Sequence, residues 1–319
     1  MTVAAEQATP DLSLIVVNYN SAALTARALA DARCSAGHLA VEEIVVDAGS
    51  PAEDILLLRR ARPRARILEL GANRGFAAGT NAGIAVARGR HLLLLNPDAF
   101  AEHDAVRALV HYLDRHPRVG LLAPLLLKDD GSPQDNAHRR FPNLLTLFVD
   151  CCTPVAFLVR GRRIDPHHVP RAKLTGPLSI AHANGAVMAV RAQAAAATGP
   201  LDEGFFLYFE ETEWQQRMAR AGWERALLPA ARFTHLGGAS TSGFALASPH
   251  YIASACRYHN HPRAVLVVIW VAALISRAAA LVCIRLGSDS QRMRNIEHGF
   301  AELLALLHSG RWRSSAPIA

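Results

Sequence analysis

The densest concentration of reactive side chains lies between Leu201 and Arg217, where an apolar, aromatic-rich stretch runs into three acids, Glu210, Glu211 and Glu213. Phe205, Phe206, Tyr208, Phe209 and Trp214 crowd these carboxylates. An ionised carboxylate in apolar surroundings is costly, and its pKa rises toward the range that suits a general base. A helix start accounts for one of the acids without any chemistry, because the first turn favours negative charge. It does not account for the aromatic crowding. Trp214 fits two roles, a ring stacked on a flat ligand or a core residue.

Two further groups suit a cation or a phosphate. Asn96-Pro97-Asp98 directly follows the apolar run His91 to Leu95. A carboxylate placed there suits a divalent cation, which in turn neutralises a departing diphosphate. His235 follows a short strand-like segment and precedes Gly237-Gly238-Ala239-Ser240-Thr241. It is either structural or an edge ligand for metal or phosphate. His167, His168, His250, His259 and His261 show no ligand spacing and are expected at the surface.

Dinucleotide and P-loop chemistry are excluded, because no GxGxxG follows the first strand and no GxxxxGK[ST] occurs. Glycine instead recurs every fourth residue at Gly75, Gly79 and Gly83, after Asn73-Arg74. One explanation is a helix N-terminus whose amides meet a diphosphate. The other is close packing of that helix. Packing is expected for Gly83 and a ligand role for the loop Asn73 to Gly75.

These groups need elements to hold them. Strands are expected at Leu12–Val17, Glu43–Asp47, Arg66–Leu70 and His91–Leu95, with helices at Ser21–Arg33, Ala52–Arg60 and Ala77–Ala87. Short apolar strands alternating with helices indicate an α/β fold around a buried, mostly parallel sheet. Asn18, Asp47, Asn96 and Asp98 end these strands and would converge on one rim, where open α/β sheets bind ligands. Taken singly, each is also an ordinary turn residue. A helix is expected at Ala101–His116, loops and short helices over Pro124–Thr175, and a strand at Ser179–Val190.

Composition sets the outer limits. The 319 residues are 51% hydrophobic and 19% charged, with 34 Lys+Arg against 27 Asp+Glu, a net +7. A disordered or fibrous chain is excluded. The basic balance suits anionic partners, but without a lysine-rich tail or a basic run interleaved with aromatics nucleic acid is not expected. The five cysteines show no CxxC or zinc spacing and are expected to be reduced thiols in a cytosolic protein. The first apolar run is too short for a signal peptide, so the chemistry is expected on the cytoplasmic side. Ala264–Ile275 is uninterrupted apolar sequence, broken by Ser276-Arg277 and resumed over Ala278–Ile284. It suits a helix lying on a membrane surface better than a span, with a buried core helix as the alternative.

Taken together, the motifs resemble family 2 of the inverting glycosyltransferases, in particular a bacterial rhamnosyltransferase-like branch. The matching pieces are Val17–Ser21, Val45–Ser50, Asn73–Gly83, Leu94–Ala99, Asn184–Met188, the Leu201–Arg217 cluster, and His235 with Ser240-Thr241, spanning Leu12 to Thr241. The resemblance implies a GT-A fold over residues 11–245, with a nucleotide-binding half about 11–100 and an acceptor-binding half about 101–245. A helical extension over 246–319, suited to association with a membrane, follows.

The same resemblance implies a nucleoside-diphosphate-sugar donor, dTDP-rhamnose before UDP- or GDP-sugars. Its expected contacts are Asn18, Tyr19, Asn20, Asp47, Asn73, Gly75, Asn81, Asn96 and Asp98. Asn184, Gly185 and Trp214 are expected on the acceptor or sugar. Asp98 and His235 would hold Mg²⁺ or Mn²⁺, and Glu211, or else Glu210, would be the catalytic base. The acceptor implied is a glycan or a polyprenyl-diphosphate-linked glycan at the inner face of the cell membrane, in cell-envelope polysaccharide synthesis. Three positions depart from the family pattern: Asn96-Pro97 in place of a first metal-site acid, Ala48 after Asp47, and Glu211 where Asp is usual. A nucleotidyltransferase is disfavoured by the lack of an N-terminal glycine-rich loop. A non-catalytic sugar-nucleotide-binding protein is disfavoured by the retained acids.

Overall fold

The protein is described from a computed structural model, which covers residues 9–134, 137–159, 169, 174–237, 248–286, 291–310 and 312. Ser240, Thr241, His167 and His168 lie outside the described residues. The first half builds β1 (Leu12–Asn18), α1 (Ala22–Ala36), β2 (Val41–Asp47), α2 (Ala52–Ala61), β3 (Arg66–Glu69), α3 (Phe76–Val86) and β4 (His91–Leu95). Then come β5 (Ala99–Ala101), α4 (Ala105–Arg115), β6 (Val119–Leu127), β7 (Ala137–His138), α5 (Leu144–Cys151) and α6 (Thr153–Val159). The remainder is β8 (Leu178–Ser179), β9 (His182–Ala183), β10 (Val187–Arg191), α7 (Ala192–Thr198), α8 (Glu210–Arg220), β11 (Glu224–His235), α9 (Pro249–His259), α10 (Pro262–Arg285) and α11 (Gln291–Ser309).

The main sheet runs β3-β2-β1-β4-β10-β6-β11-β5, with β8 on β11. β1, β2, β3 and β4 are parallel, as are β6 and β11, while β10, β5 and β8 run against their neighbours. Because β10 opposes both β4 and β6, the ends of β1, β2, β4, β6 and β11 all emerge at one edge. β1 shows why the sheet is buried on both faces. Leu12, Leu14 and Val16 enter the core under α1 and α4, whereas Ile15 enters the opposite core with α3 and Trp214. A third apolar cluster joins Phe205 and Phe209 to α5, α9, α10 and α11.

Three expectations are corrected, and one helix is longer than its uninterrupted apolar run. Pro124–Thr175 does not begin as loop, because β6 carries the chain through the middle of the sheet as far as Leu127. Proline lacks a ladder donor, and Pro124 stands opposite Leu228, where the β6–β11 register breaks before Arg232. The helix expected from Ala101 starts at Ala105, since Ala99–Ala101 pairs with β11 as an edge strand. The single strand expected over Ser179–Val190 is three pieces, β8, β9 and β10. Finally, α10 runs unbroken through Ser276-Arg277. Both polar residues have partners, with Ser276 buried against Cys151 and Thr153, and Arg277 paired to Glu297. All five cysteines are free thiols, as expected.

Candidate active site

At the strand ends the first fixed point is Asn18. Its Nδ2 donates to Asp47 Oδ1 at 2.8 Å and Asp54 Oδ2 at 2.9 Å, while its Oδ1 accepts from Thr25 and Ser21. The other oxygen of Asp47 accepts from the amides of Gly49 and Ser50. Asn18 and Asp47 are therefore buried and bonded to each other, and they shape the rim from beneath. Tyr19 and Asn20 stand exposed above them, with Asn20 in the left-handed region and its N–H on Ser50 Oγ.

The second fixed point follows β4. The Asn96 N–H donates to Ala186 O at 2.8 Å, and the Leu236 N–H donates to Asp98 O at 3.1 Å, so this turn is stitched to β10 and to the end of β11. Asp98, buried, then faces His235, with Oδ1 to Nε2 at 3.4 Å. Gln134 orients the imidazole. Its amide nitrogen donates to the His235 carbonyl, which leaves Oε1 to accept from His235 Nδ1 at 2.9 Å. With Nδ1 held by Gln134, Nε2 faces Asp98, the arrangement of an amide-braced metal ligand. Among the described residues no group of three or more His, Cys, Asp or Glu forms a complete cage. Two protein donors fit a divalent cation that draws its other ligands from diphosphate oxygens and water.

The third fixed point is the start of α8. Tyr208 and Phe209 both adopt positive φ, 70° and 66°. Each such residue costs on the order of 1–3 kcal/mol, so the surroundings must hold the turn. Ser254 Oγ donates to Leu207 O, Arg257 pairs with Asp202, and Tyr251 and Tyr258 pack on Phe209. One turn further on, buried Gln215 brackets Ala183 by donating to its carbonyl and accepting from its amide. That clamp brings Gly185 against Glu211. A Cβ on Gly185 would meet Glu211 Cγ at 3.5 Å and the Phe76 ring at 3.7 Å.

Glu210 and Glu211 are electrostatically distinct from ordinary surface acids. One carboxylate oxygen of each, Oε2, is buried with no hydrogen-bond partner. Burial, and then the charge of Glu211, push Glu210 well above the carboxylate range. Burial likewise raises Glu211 to about 7, opposed by the nearby amides of Glu211, Thr212 and Gly185. Glu211 is the less buried of the two. Its pKa near neutrality is what a general base requires.

Several expected ligand residues are placed otherwise. Trp214 is fully buried in the core beneath the sheet, its Nε1 donating to Gly199 O, so it is no sugar platform. Asn81 spends its amide on Leu201 and Glu203, pinning the 201–203 segment to α3. The amides opening α3 are engaged as well, with the Gly75 N–H on Asn73 Oδ1 and the Phe76 N–H on Phe206 O. Gly75 has φ 92°, and a Cβ there would stand 2.3 Å from Phe206 O. The free-amide explanation of the glycine spacing therefore gives way to loop and helix packing, including Gly83 on Ile15. Asn184 caps its own turn through Ala186 N–H and remains half-buried beside Gly185. His250, expected at the surface, is buried and stacks on Phe206 at 4.4 Å. Sequence reading does not single out Gln134, Ser254 and Arg257, whose segments carry no motif or period, or Gln215, which lies within the 201–217 cluster but offers only an amide beside its acids.

Comparison with known proteins gives the family and the fold. The N-acetylglucosaminyl-diphospho-decaprenol L-rhamnosyltransferase of Mycobacterium tuberculosis is 27% identical over 197 residues, 56% of this chain and 61% of that protein. Rhamnosyltransferase WbbL of Escherichia coli is 25% identical over 169 residues, 50% of this chain and 60% of that one. The chain thus spans about 60% of the length of these relatives. The mannosyltransferase PcManGT from Pyrobaculum calidifontis, solved with GDP-Man and Mn²⁺, superposes with a TM-score of 0.60 at 16% identity. That superposition covers 96% of this chain and 88% of the other, and it establishes the GT-A fold. The family model for glycosyl transferase family 2 matches residues 13–191, more than half of the sequence. The chain belongs to glycosyl transferase family 2.

Proposed function

We propose that the protein is an inverting, metal-dependent glycosyltransferase that moves L-rhamnose from dTDP-rhamnose to a hydroxyl of a glycan or polyprenyl-diphosphate-linked acceptor in cell-envelope polysaccharide synthesis. The observation that supports this proposal is Glu211, raised to about 7 and with an unpartnered oxygen, beside Gly185, whose neighbour Ala186 accepts from the Asn96 N–H of the turn that carries Asp98. The rhamnosyltransferase names of the relatives support the sugar. Residues 11–245 would form the catalytic unit and 246–319 its helical extension, peripheral at the cytoplasmic face of the inner membrane.

Glu211 accepts the proton of the acceptor hydroxyl as that oxygen attacks the anomeric carbon. The bond from this carbon to the diphosphate oxygen breaks, and its electron pair leaves with the nucleoside diphosphate. Attack opposite the leaving group inverts the centre. Asp98 and His235 would hold Mn²⁺ or Mg²⁺, which would supply charge neutralisation for the diphosphate. Tyr19 and Asn20, set over the Asn18–Asp47 pair, form the nucleoside side, and Asn73, Asn96, Asn184 and Gly185 border the crevice. Positioning and electrostatics provide most of the acceleration.

A thermal-shift series of dTDP-rhamnose, UDP-sugars and GDP-sugars, each with and without Mn²⁺, tests this, because ligands of the native state raise the melting temperature. dTDP-rhamnose with Mn²⁺ is expected to give the largest rise. A larger rise with GDP-mannose would replace the donor assignment, and no rise with any nucleotide sugar would overturn the function.

A further inference from the structure

We infer that the C-terminal helical layer is a composite docking surface for an anionic lipid bilayer, built by α6 and α10 together rather than by the apolar run of α10 alone. This deepens the membrane placement proposed above and rests on it. Phe157 and Leu158 on α6 are 81% and 55% exposed; on α10, Val267, Trp270 and Val282 are 60%, 42% and 54% exposed, and Leu286 beyond it is 81% exposed. Soluble chains rarely leave so many large apolar side chains together at the surface. The exposed positions of α10 recur at helical spacing on one side, while Val265, Ile269, Ala272, Ala273 and Ala280 are buried on the other. Val267 and Trp270 also line a groove of about 330 Å³ between α10 and α11, which is room for part of an acyl chain.

α6 is fastened to this helix. Ser276 Oγ accepts from the Thr153 N–H at 2.9 Å and lies 3.4 Å from the Cys151 carbonyl, so the polar interruption of α10 is the pin that holds the start of α6 beside it. The helix is long and apolar enough to cross a membrane, but its back packs on α5, α9 and α11, which favours lying on a bilayer.

Charge selects the occupant. Neither α6 nor α10 contains an acid, and the only charged residues of α10 are Arg263, Arg277 and Arg285. Arg277 turns away to Glu297, whereas Arg263 and Arg285 are exposed at the two ends of the helix. An apolar stripe ended by cations matches acyl chains bordered by anionic headgroups. A two-fold pairing of two copies through this stripe would instead set arginine against arginine.

The test is co-sedimentation of the full-length chain with phosphatidylglycerol/phosphatidylethanolamine vesicles and with phosphatidylcholine vesicles. Wild type is expected to prefer the anionic vesicles at least tenfold. Phe157→Asp and Val267→Glu, both at exposed positions, are each expected to lower binding at least tenfold with an unchanged circular dichroism spectrum. Wild-type binding by Phe157→Asp would overturn the composite surface. So would a wild-type dimer that either variant splits, with no vesicle binding. The thermal shift caused by dTDP-rhamnose and Mn²⁺, read on the same samples, is expected to be equal in all three. Its loss in wild type would remove the sugar-transfer function and leave the lipid surface standing.

Discussion

Asp98 Oδ1 and His235 Nε2 stand 3.4 Å apart at the meeting of the β4 turn and the end of β11, with His235 Nδ1 held by Gln134 Oε1 on the other side of the ring. If the pair holds the cation of the proposed function, Gln134 is the residue that positions its histidine.

Gln134→Leu is expected to weaken Mn²⁺ binding in the presence of dTDP by about 10–100-fold, the usual effect of losing an outer partner of a ligating histidine. Titration calorimetry measures this. Unchanged affinity would remove Gln134, and with it the oriented histidine, from the metal site.

The raised pKa of Glu211 fixes the sign of the pH dependence. Below about 7 the carboxyl is protonated and cannot accept a proton, so kcat/KM should climb about tenfold per pH unit and level off above 7. Stability runs the other way. Between the ordinary Glu value of 4.5 and about 7 the folded state holds the extra proton, so the contribution of this group falls as pH rises through that window. Glu211→Gln should flatten that part of the melting-temperature profile.

The first hundred residues are legible because their strands are continuous apolar runs that stop at a polar residue, as at Asn18 and Asp47. β6 was not, because Pro124 sits inside it and only the register break opposite makes proline tolerable there. Side-chain type alone also cannot say which way a group faces. Asn81 has the donors to hold a phosphate but spends them on Leu201, and Trp214 has the ring to stack on a sugar but fills the core. The acids at 210 and 211 stood out for a physical reason that survives in the fold, namely carboxylates among aromatics with unpaired buried oxygens.

Trp214→Ala should therefore destabilise the protein by about 3–5 kcal/mol through loss of a large buried ring. Trp214→Phe keeps most of the volume and should lower the melting temperature modestly while leaving the KM for the donor within about twofold. A selective rise in KM would restore Trp214 to the sugar site.

Asp47→Ala leaves the Asn18 amide and the Gly49 and Ser50 N–H groups short of an acceptor. An orphaned buried donor costs about 1–3 kcal/mol, so chemical denaturation should show a loss of at least that size. Asp47→Asn should recover part of it. Equal stability of Asp47→Ala and wild type would mean that this pair does not brace the rim.

The base assignment is tested by turnover of dTDP-rhamnose in single Glu211→Gln and Glu210→Gln variants, with folding checked by melting temperature. Glu211→Gln is expected to lose about 10²–10⁴-fold in kcat, the scale of a general base, while Glu210→Gln keeps most of the wild-type rate. Near-wild-type kcat in Glu211→Gln would show that this carboxylate does not take the proton.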